Sequence, residues 1–490
     1  MLPFPLVLAA ALAAEPVPLP ASPLLPPDHW AVKAAERLHE VGLNPSWMPA
    51  QRAAPILAVA RALESAVADA ERDASPYLQV ARSWLDRFHQ EWPGVSTRDG
   101  APDGQRRSGS LGVSPSVGFE SGSTRNATRP SGAPGTVLLT APGSNGFVSG
   151  TGAATWGDHF AAGATLHATA WMLEARSLEA VVAAGSVQLS VGRSPVGYGP
   201  NEIGGVVASG SAAIDRVELM TTSPFRLPWI LGTLGDFTFD TVIARFPEAR
   251  HPYTPLFWEF QLQWRPLPRL TLAAIRGFMF GGAIWDGIPP GQVPLALLAL
   301  RNYLGNNVYS GSIQYRLPTE PLLPLTVKLD WGSDDEAAAA WKWPGLVAGI
   351  SAPMLPGLPA SLGVEYAYFG KGIGPPHDPF GWYAHSQYVG GWATGETPLG
   401  DPLGGNGRAL RLVGSADALD ARLRLAGAAW VEDRFADNLY APAAAGRSVG
   451  GRAEVELRMR SSSFGVRGSY ERGRDGWSRG DVAATMTAFF

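Results

Sequence analysis

The residues best suited to chemistry in this chain are crowded into one short run. Trp382, Tyr383, His385, Tyr388 and Trp392 fall within eleven positions. Flat rings with polar edges give large contact area at low entropic cost, and sugars present C–H faces that suit them. Gly and Pro flank the run between 370 and 407 and could hold it in a fixed shape. The pattern nominates a glycan-binding loop. Its other use is an aromatic belt at a membrane interface. Further motifs carry less. Gly197-Tyr198-Gly199-Pro200 has the look of a phosphate loop, but no capped helix follows it, so a nucleotide site is set aside. Asp334-Asp335-Glu336 offers carboxylate oxygens of the kind Ca²⁺ takes, yet it reads as a solvated loop tip. The eight histidines show no metal-ligand spacing. Neither paired carboxylates nor a Ser-His-Asp set can be read from spacing. The sequence therefore names no catalytic group, no metal site and no cofactor.

The elements that must position these residues are strands. Ala453, Val455, Leu457 and Met459 alternate with Arg452, Glu454, Glu456, Arg458 and Arg460. Successive side chains of a strand point to opposite faces. Phe464, Val466 and Tyr470 repeat the pattern, and the chain ends on Phe490 with no helix left to cover the apolar face. A soluble sandwich is one solution. A closed outer-membrane barrel is the other, with apolar residues toward lipid and polar residues toward the lumen. Trp258-Phe260-Leu262-Trp264 and Leu325-Val327-Leu329-Trp331 face away from Glu259-Gln261-Gln263 and Thr326-Lys328-Asp330. A packed core would not accept so many inner charges, whereas a lumen would. Short connections (265–268, 317–321, 461–463) alternate with long ones (about 194–212, 279–306, 370–407 and 433–450). Counting back from Phe490 gives 18 strands from near Ser110, with Arg276 breaking the ninth.

Composition agrees with that reading. At 490 residues with Gly 58, Pro 43 and Trp 17, the chain has the turns and aromatic residues a large barrel needs. A net charge of -4 without acidic or basic blocks argues against nucleic acid as a partner. The absence of cysteine excludes disulfides and thiolate metal sites. No apolar run of 18 residues follows the N-terminus, so any spanning element is a strand.

Residues 1–14 read as a signal peptide and 15–27 as a Pro-rich tether. Apolar residues at helical spacing predict three amphipathic helices over 28–92, a small periplasmic bundle. Asp28 is the expected cap of the first helix and Gly42 its end. Residues 93–109 read as a linker and 110–490 as the barrel. The stretch Asp28 to Leu38 resembles the first helix of S-layer-homology modules, which implies a contact with peptidoglycan.

A more specific resemblance follows from residues 186–228. Val187-Gln188-Leu189-Ser190-Val191-Gly192-Arg193, Gly197-Tyr198-Gly199-Pro200 and Ser223-Pro224-Phe225-Arg226-Leu227-Pro228 occur in one order. They are followed by Arg265-Pro266-Leu267-Pro268, Lys328-Leu329-Asp330-Trp331 and Trp382-Tyr383-Ala384-His385-Ser386-Gln387-Tyr388. This order resembles the Wzi family of outer-membrane capsule-assembly proteins, although Asn201 stands where that family usually has glycine. The resemblance implies a mainly β fold, an antiparallel outer-membrane barrel of about 18 strands with a small N-terminal helical bundle. It further implies a non-enzymatic protein that binds capsular or exopolysaccharide outside the cell, with 370–407 as the large surface loop. The expected partners are that glycan, outer-membrane lipid and the barrel-assembly machinery, for which Phe490 is the terminal signal. A porin-like channel with a periplasmic helical domain is the alternative, and an outer-membrane hydrolase is a third reading without a visible catalytic set.

Overall fold

The alternation closes on itself. The computed structural model describes residues 19–95, 108–125, 143–170, 172–246, 254–282, 289–292, 306–320, 322–334, 344–356, 358–370, 382–385, 388, 390–394, 397–439 and 445–490. Its strands are β1 Gly109–Arg125, β2 Gly143–Trp156, β3 Phe160–Thr169, β4 Leu173–Ala184, β5 Val187–Gly197 and β6 Ser209–Thr221. Next come β7 Asp236–Arg245, β8 Leu256–Leu267, β9 Leu270–Phe280, β10 Asn307–Arg316, β11 Thr326–Asp334 and β12 Pro344–Ala352. The last six are β13 Ala360–Phe369, β14 Gly407–Ala418, β15 Leu423–Arg434, β16 Gly446–Arg458, β17 Ser462–Gly473 and β18 Ser478–Ala488. Each pairs antiparallel with its chain neighbour, and β18 pairs with β1 to close the ring. The strand count and the start near Ser110 are as the alternation predicts.

The outer face is the apolar one. Val455, Leu457, Phe464, Val466, Tyr470, Val482, Met486 and Phe490 are all exposed, in line with lipid as their solvent. Phe490 exchanges two backbone hydrogen bonds with Val113 on β1, at 3.0 and 2.9 Å, so the chain end is part of the seam. Arg276 sits on this outer face near the long-loop rim. Its guanidinium lies 5.0 Å from the Phe278 ring and 4.8 Å from the Tyr309 ring and donates to Asn307 Oδ1 at 2.9 Å. Aromatic cover and a rim position make an arginine tolerable there. Short and long connections alternate less regularly than the sequence suggests, because 170–172 and 474–477 are short connections on the long-loop rim.

Helices α1 Trp30–Glu40, α2 Ile56–Arg72 and α3 Leu78–Glu91 form the bundle. His29, not Asp28, caps α1, its Nδ1 accepting from the Ala31 amide at 3.3 Å. Gly42 takes the left-handed φ of +94° that ends the helix. The bundle shares one apolar core with Leu111, Ala153, Met354 and Ala421 of the barrel. It therefore seals the short-turn mouth and does not hang free of it. Two ion pairs, Arg87 to Glu456 at 2.5 Å and Arg458 to Glu91 at 3.4 Å, reinforce the joint, and Arg37 Nε donates to the Pro353 carbonyl at 2.8 Å. The described part of the Pro-rich tether is also docked. Leu24 and Leu25 pair with Pro55 and Ala54, and the Leu24 amide donates to Glu179 Oε2 of β4 at 3.2 Å. Residues 1–18 and most of the 93–109 linker lie outside the described residues.

His39 makes this docking pH-sensitive. Burial and then the Arg316 guanidinium lower its imidazole from 6.5 to about 3, while the Asn44 carbonyl holds one ring nitrogen at 2.9 Å. The undocked, unfolded helix takes up a proton near 6.5 and the docked one only near 3. Docking therefore weakens as pH falls from about 6.5 toward 3. Hydrogen-exchange protection factors of α1 should drop between pH 7.5 and pH 4, and His39→Gln should flatten that slope. Equal protection of the unaltered protein at both pH values would count against the account.

Candidate functional site: a filled lumen and the cavity it leaves

Strand alternation turns a row of charges inward, and a buried charge without a partner is costly. Glu218, Asp240, Glu259, Asp330, Glu365, Arg411, Glu432, Arg434 and Glu471 all stand on the inner wall and are buried. What covers them is the chain itself, entering from both ends. From the short-turn mouth, residues 47–52 reach inward. Gln261 donates to the Ala50 carbonyl at 2.6 Å, Gln263 to Pro49 at 2.9 Å and Arg265 to Trp47 at 3.2 Å. Gln51 hydrogen-bonds Glu218.

From the opposite rim, the 198–208 connection folds down to meet them. Arg52 donates to three of its backbone carbonyls, Gly199 at 3.2 Å, Ile203 at 3.4 Å and Gly204 at 2.8 Å, and to that of Ser209, where β6 begins, at 2.8 Å. Wall carboxylates take its amides, with Glu365 accepting from Gly204 at 2.8 Å and Asp330 from Val206 at 2.8 Å. Glu202 closes the junction by pairing with Lys328 of β11 at 3.0 Å and Lys33 of α1 at 3.3 Å. Burial pushes the Glu202 carboxyl up, but these two cations more than reverse the effect and hold it well below the usual carboxylate range. The Gly197–Pro200 motif is the hinge of this descent. Gly199 has φ +83°, and a Cβ there would stand 3.1 Å from Asp330 Oδ2. Tyr198 is buried, its hydroxyl donating to Asp240 at 3.2 Å. Pro200 follows at the half-buried start of the loop, and Asn201 donates to the Val347 carbonyl at 3.1 Å.

The aromatic run forms the layer above, and here the structure corrects the expectation of an exposed surface loop. Trp382, Tyr383, Tyr388 and Trp392 are each at most 2% exposed. They pack in one apolar cluster with Tyr198, Val206, Phe257 and Phe369. Tyr383 donates its hydroxyl to the Val206 carbonyl and Trp392 its indole N–H to Val207, both at 2.7 Å. Burial pushes the Tyr388 phenol up to about 12. His385 is half-buried, its Nδ1 accepting from the Tyr388 amide at 3.3 Å. In this arrangement the four buried rings brace the inward loops, and their faces are covered by protein. The two indoles lie flat against the wall where glycines leave room. A Cβ at Gly345 would come within 2.6 Å of Trp382, and one at Gly277 within 2.6 Å of Trp392. Asp335 and Glu336 of the acidic loop lie outside the described residues.

The filling is lopsided. A cavity of about 500 Å³ remains between Lys33, Glu36 and Arg37 of α1 and the wall that runs from β12 through β18 to β1–β4. Arg176, Arg452 and Arg467 reach it, with Glu120, His167 and the Phe147 ring beside them. Arg176 is the extra residue of a β-bulge, where Thr165–Leu166 face Ser177–Ala175; a bulge re-aims the side chain it carries. Its Nε lies 3.5 Å from the Glu174 carboxylate and its Nη2 has no hydrogen-bond partner; His167 Nε2 lies 3.7 Å from Glu120, and its Nδ1 has no hydrogen-bond partner. Arg467 makes no hydrogen bond or salt bridge among the described residues. Strand alternation sets Arg467 opposite Phe464 and Val466, toward the lumen, whereas no sequence pattern marks Arg176, His167 or Arg52. Arg176 is displaced by the bulge, and Arg52 lies in a stretch with no periodicity.

A large barrel with its lumen closed by its own N-terminus and its own loops is thus the class this fold and site define. The Wzi capsule-assembly profile matches residues 141–474, and the chain belongs to that family. A solved Wzi from Escherichia coli superposes at a TM-score of 0.70 with 15% identity, covering 96% of this chain and 99% of the other. That protein is described as an outer-membrane, carbohydrate-binding β-barrel involved in group 1 capsule assembly. Pseudomonas aeruginosa OccK5 (OpdH) reaches only 0.46 with 11% identity, over 77% of this chain and 97% of its own. No curated protein sequence matches. The chain is an outer-membrane protein, and in barrels of that membrane the short turns lie on the periplasmic side.

Adding a methyl at Gly345 tests the bracing. Gly345→Ala should push the Trp382 ring off the wall and loosen the 382–406 segment, raising its rate of proteolytic nicking severalfold. The barrel itself should keep its heat-modifiable mobility. Wild-type resistance to the protease would contradict the role given to this contact.

Proposed function

We propose that this chain binds a surface polysaccharide and assists its assembly at the cell exterior without catalysing a reaction. We further propose that the lumenal cavity seats one or two sugar units bearing carboxylates. The observation that carries the reading is the cavity's chemistry: the guanidinium groups of Arg176, Arg452 and Arg467 stand beside the Phe147 ring and the Glu120 and Glu454 carboxylates, and Arg176 Nη2 has no hydrogen-bond partner. Sugars are held by such mixtures, because hydroxyls need both donors and acceptors while C–H faces favour rings. The family and the carbohydrate binding described for the E. coli relative support it. The connection between β3 and β4, 170–172, is short at this side. The plugged lumen speaks against the porin reading. The buried aromatic run of 382–392 then contributes by bracing the loops, and His385 alone of the five retains partial exposure. Phe490, exposed at the seam, is the end we assign to the barrel-assembly machinery.

The test is binding of a uronate-containing oligosaccharide to the refolded protein. A charge-assisted hydrogen bond is worth about 1.5–3 kcal/mol, so Arg467→Ala combined with Arg176→Ala should weaken binding about ten- to hundredfold. A neutral oligosaccharide of equal length should respond less. Unchanged affinity in a properly folded double variant would remove the cavity from the proposal.

A further inference from the structure

One segment at the periplasmic rim behaves unlike the other turns. Pairing of β6 with β7 stops at Met220–Asp240, and residues 222–235 continue as an irregular connection. Phe225 and Phe237 exchange two backbone hydrogen bonds at 2.9 and 2.8 Å. Phe225, Leu227, Phe237 and Phe239 then pack together with Leu219, Leu262 and Trp264. Strand alternation puts Leu219, Phe237, Phe239, Leu262 and Trp264 on the outer wall, because Val217 and Ile243 of the same faces are exposed. Trp264 stacks on Phe237 at 6.3 Å and donates its indole N–H to the Leu234 carbonyl at 2.7 Å. The segment therefore leans on the outside of the barrel, on the surface that faces lipid.

Its own outward side is apolar too. Trp229 is 92% exposed and Ile230 81% exposed, at the start of a 3-10 turn over Trp229–Leu234. Leu231 and Leu234 are exposed beside them. Trp229 is held at φ +57°, a left-handed conformation that a bulky residue adopts only when its surroundings impose it. Arg226, exposed at the flank, pairs with Asp236 at 2.8 Å. The level is the inner rim, since Asp236 also pairs with Arg265, whose guanidinium bonds the Trp47 carbonyl of the plug. An apolar surface continuous with the lipid-facing belt and bordered by an arginine matches the headgroup–acyl boundary.

We infer that residues 228–234 form a membrane anchor, with Trp229 and Ile230 inserted into the periplasmic leaflet of the outer membrane. The partner is phospholipid, and the inference stands apart from the glycan reading. Its consequence is orientational: one flank of the barrel is held at fixed depth, on the side opposite the cavity.

The chain has no cysteine, so one introduced thiol can carry an environment-sensitive NBD probe. Ile230→Cys, with Trp229→Cys as a second site, is labelled and reconstituted in phosphatidylethanolamine–phosphatidylglycerol vesicles. Ser461→Cys, on a polar turn of the same rim, is the reference. The expected result is a blue-shifted emission at 230 that nitroxide on the upper acyl chain quenches, with several-fold protection from aqueous iodide relative to 461. Iodide access equal to that at 461 would overturn the inference and leave the segment free for a soluble partner. Equal quenching by lipid at both positions would overturn it as well, because the signal would then report mere proximity to the bilayer.

Discussion

The contact on which this molecule depends is that of Arg52 with the backbone of the 198–208 loop. One guanidinium arriving from the short-turn mouth donates to three carbonyls of a loop arriving from the opposite rim, and to a fourth on Ser209 where β6 begins. Neither partner could stay in place alone. A buried guanidinium needs acceptors, and a loop turned into the lumen needs its carbonyls satisfied. Their mutual satisfaction makes it possible for both to occupy the middle of the barrel. The Glu202–Lys328–Lys33 junction repeats the arrangement with opposite signs, joining loop, wall and helix α1.

From that junction the rest follows in layers. The wall carboxylates Glu365 and Asp330 find backbone amides because the loop is held down. The 382–406 segment rests on the loop and is fastened through Tyr383 and Trp392. The far side of the lumen has no comparable insertion among the described residues, and its arginines face a cavity. A barrel built this way is mechanically closed on one side and chemically open on the other. That asymmetry suits a binding protein better than a pore, whose lumen must stay clear along its length.

Much of the fold was legible because membrane strands obey a simple rule. Alternating faces, a terminal aromatic and connections of two lengths gave the barrel and its strand count. The family resemblance rested on motifs now seen to be hinges and rims, such as Gly197–Pro200 and Arg265–Pro268. The site was harder. Trp382 and its neighbours look the same in sequence whether they face a sugar or pack inward, and only the glycines opposite them, Gly277 and Gly345, record which. Those glycines lie about forty and more than a hundred residues away, within strands where nothing marks them. Arg52 gave no signal either, because a residue that bonds backbone carbonyls has no complementary residue type to look for. The tether likewise reads as free chain until Glu179 and Gln188 of the wall are seen to accept from its amides.

The central claim is that the lumen is closed by its own chain. Single-molecule conductance in planar bilayers tests it directly. The unaltered protein should insert without stable conductance steps, and Arg52→Ala should introduce flickering openings by releasing the 198–208 loop. Steady, porin-sized steps from the unaltered protein would contradict the account.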